Sequence, residues 1–332
     1  MTDTTSGLPP AILSRSKRLR AATLEHGFVG VLVLIFLFFA LSTNHFATID
    51  NVIAMLHTMA PIMVIAAGMA VVVLSGKLDI SVGSVALLSM AVGSFLMNAL
   101  HVPAPLAFVA VLLCGALLGA LNAIIVVGMG INSLIATLST MIALRGLGFL
   151  VSGGNSVEFA PAVRALGNLT IGPVFVDILL AAAVVLLVHL VHVRTPYGRY
   201  LNAIGNGEEV ATRIGLPVRL VSFLSFVISG TLASLGGLMT SLQVGGFTNF
   251  LGTGAEFTAV AIVVVGGISL FGGIGAIVPG VILGAFTFEV MENGLNQMSA
   301  NPFAYRLVTG IIIFVAMYVD SLKSGRAEPD TA

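Results

Sequence analysis

Long apolar runs recur along the chain and constrain its fold more than any other feature. A hydrocarbon core about 30 Å thick needs roughly 20 apolar helical residues to cross it. Runs of about this length predict about ten transmembrane helices, at residues 27–42, 52–74, 80–100, 105–128, 133–152, 174–193, 220–241, 256–271, 276–295 and 303–320. Only 8% of the 332 residues are charged, against about 25% in an average soluble domain. The sequence therefore predicts an all-α polytopic membrane protein.

The first run could also be the core of a secretory signal peptide, because Arg15, Lys17, Arg18 and Arg20 precede it. The segment Ala40-Leu41-Ser42 is a poor cleavage site. We therefore expect this span to be retained, although the sequence alone leaves the alternative open.

Basic residues predict sidedness, because short loops rich in Lys and Arg stay in the cytoplasm. The two tails and the loop 194–219 hold most of the basic residues of the chain. Six predicted spans separate the N-terminal tail from this loop and four separate the loop from the C-terminal tail, so all three can face the cytoplasm. We expect a cytoplasmic tail at 1–26, one transmembrane domain at 27–320 and a cytoplasmic tail at 321–332. Spans 2–5 and spans 7–10 would then have opposite orientation, as an inverted repeat requires.

The loop 194–219 contains a short polar helix with recognisable ends. Asn206 is a suitable N-cap, acidic residues follow it in the first turn, and a glycine and a proline end the helix. Val210, Ala211 and Ile214 form a small apolar side that no lipid covers. The residues of this predicted docking element are Asn206, Gly207, Glu208, Glu209, Val210, Arg213, Ile214 and Gly215. The helix either docks a soluble partner or is a solvated connector that folds back on its own chain.

Motifs for catalysis and nucleotide binding are missing from the sequence. Gly76-Lys77 is the only Gly-Lys pair, and Leu78 follows it where a phosphate-binding loop has Ser or Thr. No His-Glu-x-x-His motif occurs, and the segment Gly267-Ile-Ser-Leu-Phe271 lacks the second glycine of a serine hydrolase motif. With 14 basic and 14 acidic residues, the net charge of zero gives no indication of nucleic-acid binding. We therefore predict a protein that is not an enzyme, holds no metal and binds no cofactor itself.

Four short stretches carry a family resemblance. They are Lys77-Leu-Asp-Ile-Ser-Val-Gly-Ser84, Thr137–Gly146 together with Ser152-Gly-Gly154, Tyr197–Asn206 with the two glutamates that follow, and Val264–Gly273. In this order and spacing they resemble the permease subunits of ribose-type monosaccharide ABC importers. The chain departs from the family pattern at Lys77, where a small residue is usual, and at Gly275, where a basic residue often follows Phe-Gly-Gly.

The resemblance implies a transport system of several subunits. Two copies of the permease, identical or paralogous, would pair in the bacterial inner membrane. Cytoplasmic ABC ATPase subunits would use ATP and Mg²⁺, and a periplasmic binding protein would deliver a monosaccharide or related polyol. The helix in the loop 194–219 resembles the coupling element that fits a groove on the ATPase. The chain would then move the sugar by alternating access, and its sequence does not identify the sugar.

Charged residues at membrane depth are costly, so each of them is a candidate site. We expect Asp79 to cap span three through Ser81 and its neighbours, and Arg145 to pair with an acid on a neighbouring helix. Both are predicted to be structural charges. Contact with the sugar is the alternative role for Arg145.

Other polar and aromatic residues are candidates for the path itself. The predicted translocation path contains Asn122, Asn132, Thr137, Glu289 and Asn293. Glycine-rich breaks before span eight predict a flexible outer gate, formed by Phe247, Phe250 and Glu256. Glu289 and Glu292 lie on one side of a helix and would repel each other unless water or a cation separates them. They leave open a rival function, an ion-coupled secondary sugar transporter that uses intramembrane carboxylates.

Small residues recur at a spacing that lets helices approach closely. Gly115 and Gly119 are one such pair, and Gly280 and Gly284 are another. Because lipid tails are as apolar as leucine side chains, close packing of this kind helps to drive helix association in a membrane. We expect packing to explain most of the 38 glycines.

Overall fold

The computed structural model describes residue 30, residues 32–301 and, near the C-terminus, residues 307–312, 314–315 and 317–318. The predicted tails at 1–26 and 321–332 lie outside these residues, as do parts of the predicted spans 27–42 and 303–320. Nearly all of the regular structure in the described part is helical.

Helices α1 to α12 follow one another along the chain. Their bounds are α1 (Leu32–Ser42), α2 (Ile49–Leu74), α3 (Val82–Asn98), α4 (Ala104–Ala123), α5 (Ser133–Ser152), α6 (Pro161–Gly167), α7 (Val176–Arg194), α8 (Pro196–Asn206), α9 (Glu208–Arg213), α10 (Val218–Val244), α11 (Ala255–Val265) and α12 (Ile277–Gln297). A π-helical turn, Ile124–Gly128, extends α4. The described residues 307–312, 314–315 and 317–318 are also helical. Short antiparallel strands accompany the helices: β1 (Val157–Glu158) pairs with β4 (Gly246–Phe247), and β2 (Thr170–Ile171) pairs with β3 (Val174–Phe175).

Several helices have the length and composition of membrane spans. Among the described residues, 5 helices qualify: α2, α4 with its π-helical turn, α5, α7 and α10. A helix satisfies its own backbone hydrogen bonds, which is why such segments are stable in lipid. The structure therefore confirms the prediction of a polytopic helical membrane protein.

The predicted spans 80–100 and 256–271 are shorter as helices than expected. Helix α3 has 17 residues and α11 has 11 residues. Helix α11 ends at Val265, and the segment 266–276 that follows is irregular, with positive φ angles at Gly267, Gly272 and Gly273. Glycine adopts these angles without steric cost, so the chain can turn repeatedly here although its composition stays apolar.

The two short helices begin next to each other. A Cβ added to Gly83, in the first turn of α3, would overlap the Gly252 carbonyl oxygen and the Glu256 carboxylate at the start of α11. Ala86 of α3 lies beside Gly237 in the second half of α10. Both short helices therefore start part-way along the bundle, and from this junction they run towards opposite ends.

Helices α2 and α10 form the centre of the bundle. Nearly every residue of α2 from Met59 to Leu74 is buried. Gly68 of α2 lies against Ser229 and Leu232 of α10. Helix α4 packs on α10 through Gly115 and Gly119, where an added Cβ would overlap backbone atoms of α10. Gly284 packs closely against Ile262 of α11, so both predicted glycine pairs lie at helix contacts.

The bundle has two distinct ends. We call the end that carries α8, α9, the segment 75–81 and the segment 266–276 the docking end. At the other end Gly167 of α6 approaches Leu242, and Thr43 donates a hydrogen bond to Gln297. The basic loop 194–219 thus lies at the docking end and the loops near Thr43 and Gly167 lie at the other end, while the assignment of the two ends to cytoplasm and exterior stays a prediction.

Candidate docking surface and buried polar network

Asn206 does not cap the docking helix as the sequence predicts. It is the last residue of α8, and its side-chain amide donates hydrogen bonds to the carbonyls of Asn202 at 2.9 Å and of Gly273 at 3.4 Å. Gly207 takes the position before α9. The reason is that a helix already begins at Pro196 and runs through Asn206. Two consecutive helices therefore stand where one was expected.

Helix α9 carries the predicted charges and an exposed apolar surface. Glu208 and Glu209 occupy its first turn and Arg213 its last, as predicted, and Gly215 turns the chain with a φ of 82°. The side chains of Val210 and Ile214 are 63% and 68% exposed. Ala211, which the sequence placed on the same face, is buried instead. We call Val210 and Ile214 the apolar face of α9.

Close backbone packing fixes the docking helices to the bundle. A Cβ on Gly205 would overlap the Leu74 carbonyl oxygen and the Gly273 amide nitrogen. Those two atoms are themselves hydrogen bonded at 3.0 Å. Lys77 adds an ion pair, with its Nζ 2.8 Å from Glu208 Oε2. Burial also raises the pKa of the Tyr197 phenol in α8, which keeps this side chain neutral.

Asp79 is completely buried and forms the centre of a polar network. Its Oδ1 accepts hydrogen bonds from the Ser81 amide at 3.1 Å and from Ser81 Oγ at 2.6 Å. Its Oδ2 accepts one from Ser229 Oγ of α10 at 2.9 Å. Ser81 Oγ in turn accepts a hydrogen bond from the Asn122 side chain at 2.7 Å. Ser81 is the residue before α3 and makes no side-chain capping bond to that helix, so Asp79 holds the residue before α3 and does not cap the helix itself.

Arg145 has an acidic partner, and it also bonds to three residues on neighbouring segments. Its Nη2 lies 3.9 Å from Glu256 Oε2 in α11. Its guanidinium donates to Ser84 Oγ at 3.3 Å, to Thr253 Oγ1 at 2.7 Å and to the Gly252 carbonyl at 3.3 Å. Arg145 thus links α5 to the adjacent starts of α3 and α11. The planar guanidinium can bond in several directions at once, which suits this position.

The five candidates for the translocation path lie in two parts of the bundle: Asn122, Asn132 and Thr137 near the segment 75–81, and Glu289 and Asn293 in α12. Asn122 and Thr137 are buried, and Thr137 Oγ1 accepts a hydrogen bond from the Ile80 amide at 3.1 Å. Asn132 caps α5 at the docking end. Glu289 is buried within α12, and Asn293 exchanges side-chain hydrogen bonds with Asn51 of α2. The described residues therefore do not bring these side chains to one common cavity, and their role stays a prediction.

The three candidates for the outer gate also differ in their surroundings. Phe247 lies in β4, is buried, and packs in an apolar cluster with Leu87 and Met90 of α3, so it is a core residue in this structure. Phe250 is 82% exposed, as a movable gate residue could be. Glu256 is buried beside Arg145 and belongs to the junction of the two short helices.

A polar cluster at the end opposite the docking end was not predicted. His57 Nδ1 lies 2.8 Å from Asp177 Oδ2, and the Gln243 side chain donates to the same oxygen at 2.6 Å. The cluster joins α2, α7 and α10. In the sequence these three residues appear only as polar residues near the ends of long apolar runs. That pattern does not indicate which polar residues contact each other in the folded protein.

Comparison with known proteins identifies the relatives of this chain. Residues 51–317 match the family described as "Branched-chain amino acid transport system / permease component". The chain is 34% identical over 310 residues to the ribose import permease protein RbsC of Escherichia coli (strain K12), across 90% of this chain and 94% of that protein. It is 29% identical over 324 residues to the galactose/methyl galactoside import permease protein MglC of the same strain, across 91% and 95%. It is 33% identical over 267 residues to the autoinducer 2 import system permease protein LsrC of Enterobacter sp. (strain 638), across 78% and 75%.

These relatives are transport permeases rather than enzymes, and the matches extend over most of the chain. They confirm the resemblance to sugar-type importer permeases that the four sequence stretches carry. The chain therefore belongs to the family of branched-chain amino acid transport system permease components.

Proposed function

We propose that this chain is the membrane-spanning subunit of an ATP-driven importer for a monosaccharide or related polyol. The observation that carries the proposal is the identity of 34% with a ribose import permease over 90% of the chain. The chain has no nucleotide-binding motif of its own, so a separate ABC ATPase would hydrolyse ATP with Mg²⁺. The sugar itself would come from a periplasmic binding protein.

The exposed apolar face of α9 supports the proposed docking of the ATPase. Val210 and Ile214 lie on a short polar helix outside the long apolar helices. Apolar side chains clustered at the centre of a polar surface are typical of protein interfaces. We propose that ATP-driven closure of the partner moves α8 and α9, together with the ends of the helices that they touch.

The proposed topology has about ten spans, two sets of opposite orientation, and both termini in the cytoplasm of a bacterial inner membrane. Its support is a repeated arrangement of elements. Long helix α2 begins at the end opposite the docking end and leads through the segment 75–81 into short α3, whereas long helix α10 begins at the docking end and leads through the segment 245–254 into short α11. In an inverted repeat, corresponding elements begin from opposite sides in this way. A second permease, identical or paralogous, would complete the path.

The ion-coupled carrier gains no support from the relatives, which are import permeases. Glu289 and Glu292, the carboxylates on which that reading depends, lie in α12. Asp79 is a further buried carboxylate, and it accepts hydrogen bonds from Ser81 and Ser229 that hold the start of α3 in place. These bonds give it a structural role. The importer is therefore the function that we propose.

Mild-detergent purification of the full chain from its native membranes tests the proposal, with mass spectrometry of the proteins that accompany it. We expect an ATPase with Walker motifs to accompany the wild-type chain. The double substitution Val210→Asp/Ile214→Asp should release it, because two carboxylates would have to be desolvated in the interface. Ile171→Asp is the matched control, since Ile171 is 64% exposed at the opposite end.

The carrier reading would replace the importer if the wild-type chain is recovered alone under conditions that preserve other ABC complexes. Retention of the ATPase by the double variant would leave the importer standing and would reject the apolar face of α9 as the docking surface.

A further inference from the structure

The ion pair between Lys77 and Glu208 joins two elements that are far apart in the sequence. The Nζ to Oε2 distance is 2.8 Å, and the side chains are 12% and 58% exposed. Glu209 and Arg213 form the other ion pair of α9, but both lie within this helix and both are largely exposed. A pair that is partly buried is less screened by salt than an exposed one. Lys77 thus connects α9 with the segment 75–81.

The segment 75–81 is held firmly to its neighbours on either side of Lys77. Gly76 lies against Gly205 of α8. The amide of Leu78 donates to Ser133 Oγ at 3.2 Å, and that of Ile80 donates to Thr137 Oγ1 at 3.1 Å. These contacts follow one another along the seven residues of the segment, so Lys77, Asp79 and Ser81 belong to one closely packed stretch of chain.

From Ser81 the contacts continue to the junction of the two short helices. Ser81 precedes α3, and Ser84 in its first turn accepts a hydrogen bond from Arg145. Arg145 also bonds Gly252 and Thr253 next to the start of α11. A continuous series of contacts therefore connects the docking helix with the middle of the bundle.

We infer that Lys77 is a positioning residue for transport, which ties α9 to the segment 75–81 so that movement of the docking helices shifts the start of α3. The inference rests on the proposed function, because it assigns to the ATPase the force that moves α9. It is specific to this chain, since the resembling family usually has a small residue at this position. Contiguity alone does not establish coupling, so the test has to measure whether the two sites respond together.

Hydrogen exchange of residues 75–84 in the purified complex with its ATPase measures this coupling directly. The probe is ATP with vanadate, compared with no nucleotide. In the wild-type complex we expect the exchange rates of these amides to differ between the two states by about fivefold, the lower end of usual couplings between sites. Lys77→Met, which keeps the apolar stem, should abolish this difference while the complex still binds the ATPase and hydrolyses ATP. Glu208→Gln lies in the docking helix itself, and it should abolish the difference in the complex that is recovered.

Two further variants serve as controls. Lys77→Arg keeps the charge and should keep the wild-type difference. Glu158→Gln removes the carboxylate of an exposed ion pair with Arg164 at the opposite end and should have no effect. A structural defect alone would lower the yield of complex but would not remove the nucleotide response selectively.

The inference is overturned if Lys77→Met and Glu208→Gln keep the wild-type difference, or if the wild-type complex shows no nucleotide-dependent exchange at residues 75–84. If no ATPase accompanies the wild-type chain at all, the proposed function fails, and the inference fails with it. These outcomes are distinguishable because the presence of the ATPase is established before exchange is measured.

Discussion

Asp79 illustrates how a single carboxylate is accommodated inside an apolar bundle. Burying a charge without partners is very costly, and each hydrogen bond to the carboxylate reduces that cost. Ser81 supplies two donors and Ser229 supplies a third. Because Ser229 belongs to α10, the same bonds also join the start of α3 to the central helix of the bundle.

Substitution of Asp79 should therefore destabilise the protein, and the loss of stability should grow with the number of hydrogen-bond acceptor oxygens that the new side chain lacks. We expect Asp79→Ala to lower the free energy of unfolding by about 1–3 kcal/mol, the cost of leaving buried polar groups unsatisfied. Asp79→Asn keeps one acceptor oxygen and should cost less. Ser229→Ala removes one donor and should cost about 1 kcal/mol.

Melting temperatures of the detergent-solubilised variants rank these effects. Size-exclusion chromatography after heating measures how much folded protein remains at each temperature. Equal melting temperatures for wild type and Asp79→Ala would show that the carboxylate does not hold α3 to α10.

Sequence reasoning at this scale succeeds where the partner is local and fails where it is distant. The hydrogen bonds between Asp79 and Ser81 span two residues, so this contact is visible in the sequence. The need of Arg145 for an acid follows from the cost of a charge in the membrane. Ser229 and Thr253 were not found, because nothing in the sequence distinguishes them from the other small polar residues of the apolar segments. Asn206 was misassigned because Asn followed by Gly can end one helix as readily as it begins the next.

At the scale of the helices, small residues decide how closely neighbours pack. Gly119 of α4 lies so near α10 that an added Cβ would overlap the Phe226 carbonyl oxygen. Gly146 of α5 has open space around its Cβ position and normal helical geometry. A substitution at Gly119 therefore tests the role of glycine in close packing, and a substitution at Gly146 tests its effect on helix propensity alone.

Gly119→Ala should destabilise the protein by about 1–3 kcal/mol, because the extra methyl group overpacks the contact between α4 and α10. Gly146→Ala should stabilise it by roughly 0.5–1 kcal/mol, since alanine loses less conformational entropy in a helix. Unfolding midpoints in one detergent give both values. If both substitutions change the free energy of unfolding by the same amount and in the same direction, close packing at Gly119 is contradicted.

Hydropathy locates the helices well but does not set their lengths. The spacing of Gly115 and Gly119 is visible in the sequence and correctly indicates a close contact. The ends of α3 and α11 are not visible, because apolar residues such as Leu78 and Ile268 continue the runs beyond the helices. Only the tertiary contacts of the segments 75–81 and 266–276 show that these parts are irregular.

At the scale of the whole molecule, charge and connectivity predict the same arrangement from independent arguments. The Lys and Arg residues assign three segments to one side, and the number of predicted spans between them is compatible with that assignment. Of these three segments the structure describes the loop 194–219, which lies at the docking end of the bundle. The exposed apolar side chains of α4, α5 and α7 suit contact with lipid and with protein equally well, so neither argument depends on them.

The sidedness can be tested with single cysteines, because Cys114 is the only native one. In a Cys114→Ala background, Asn155→Cys introduces a thiol at the end opposite the docking end, and Glu209→Cys introduces one in α9. Both positions are exposed. A membrane-impermeant maleimide should label residue 155 in cells whose inner membrane is intact, and residue 209 only after that membrane is broken. We expect this order because short loops rich in Lys and Arg stay in the cytoplasm, and the loop 194–219 around α9 is such a loop. Labelling in the reverse order would place α9 outside, where no ATPase could reach it, and would reject both the topology and the docking surface.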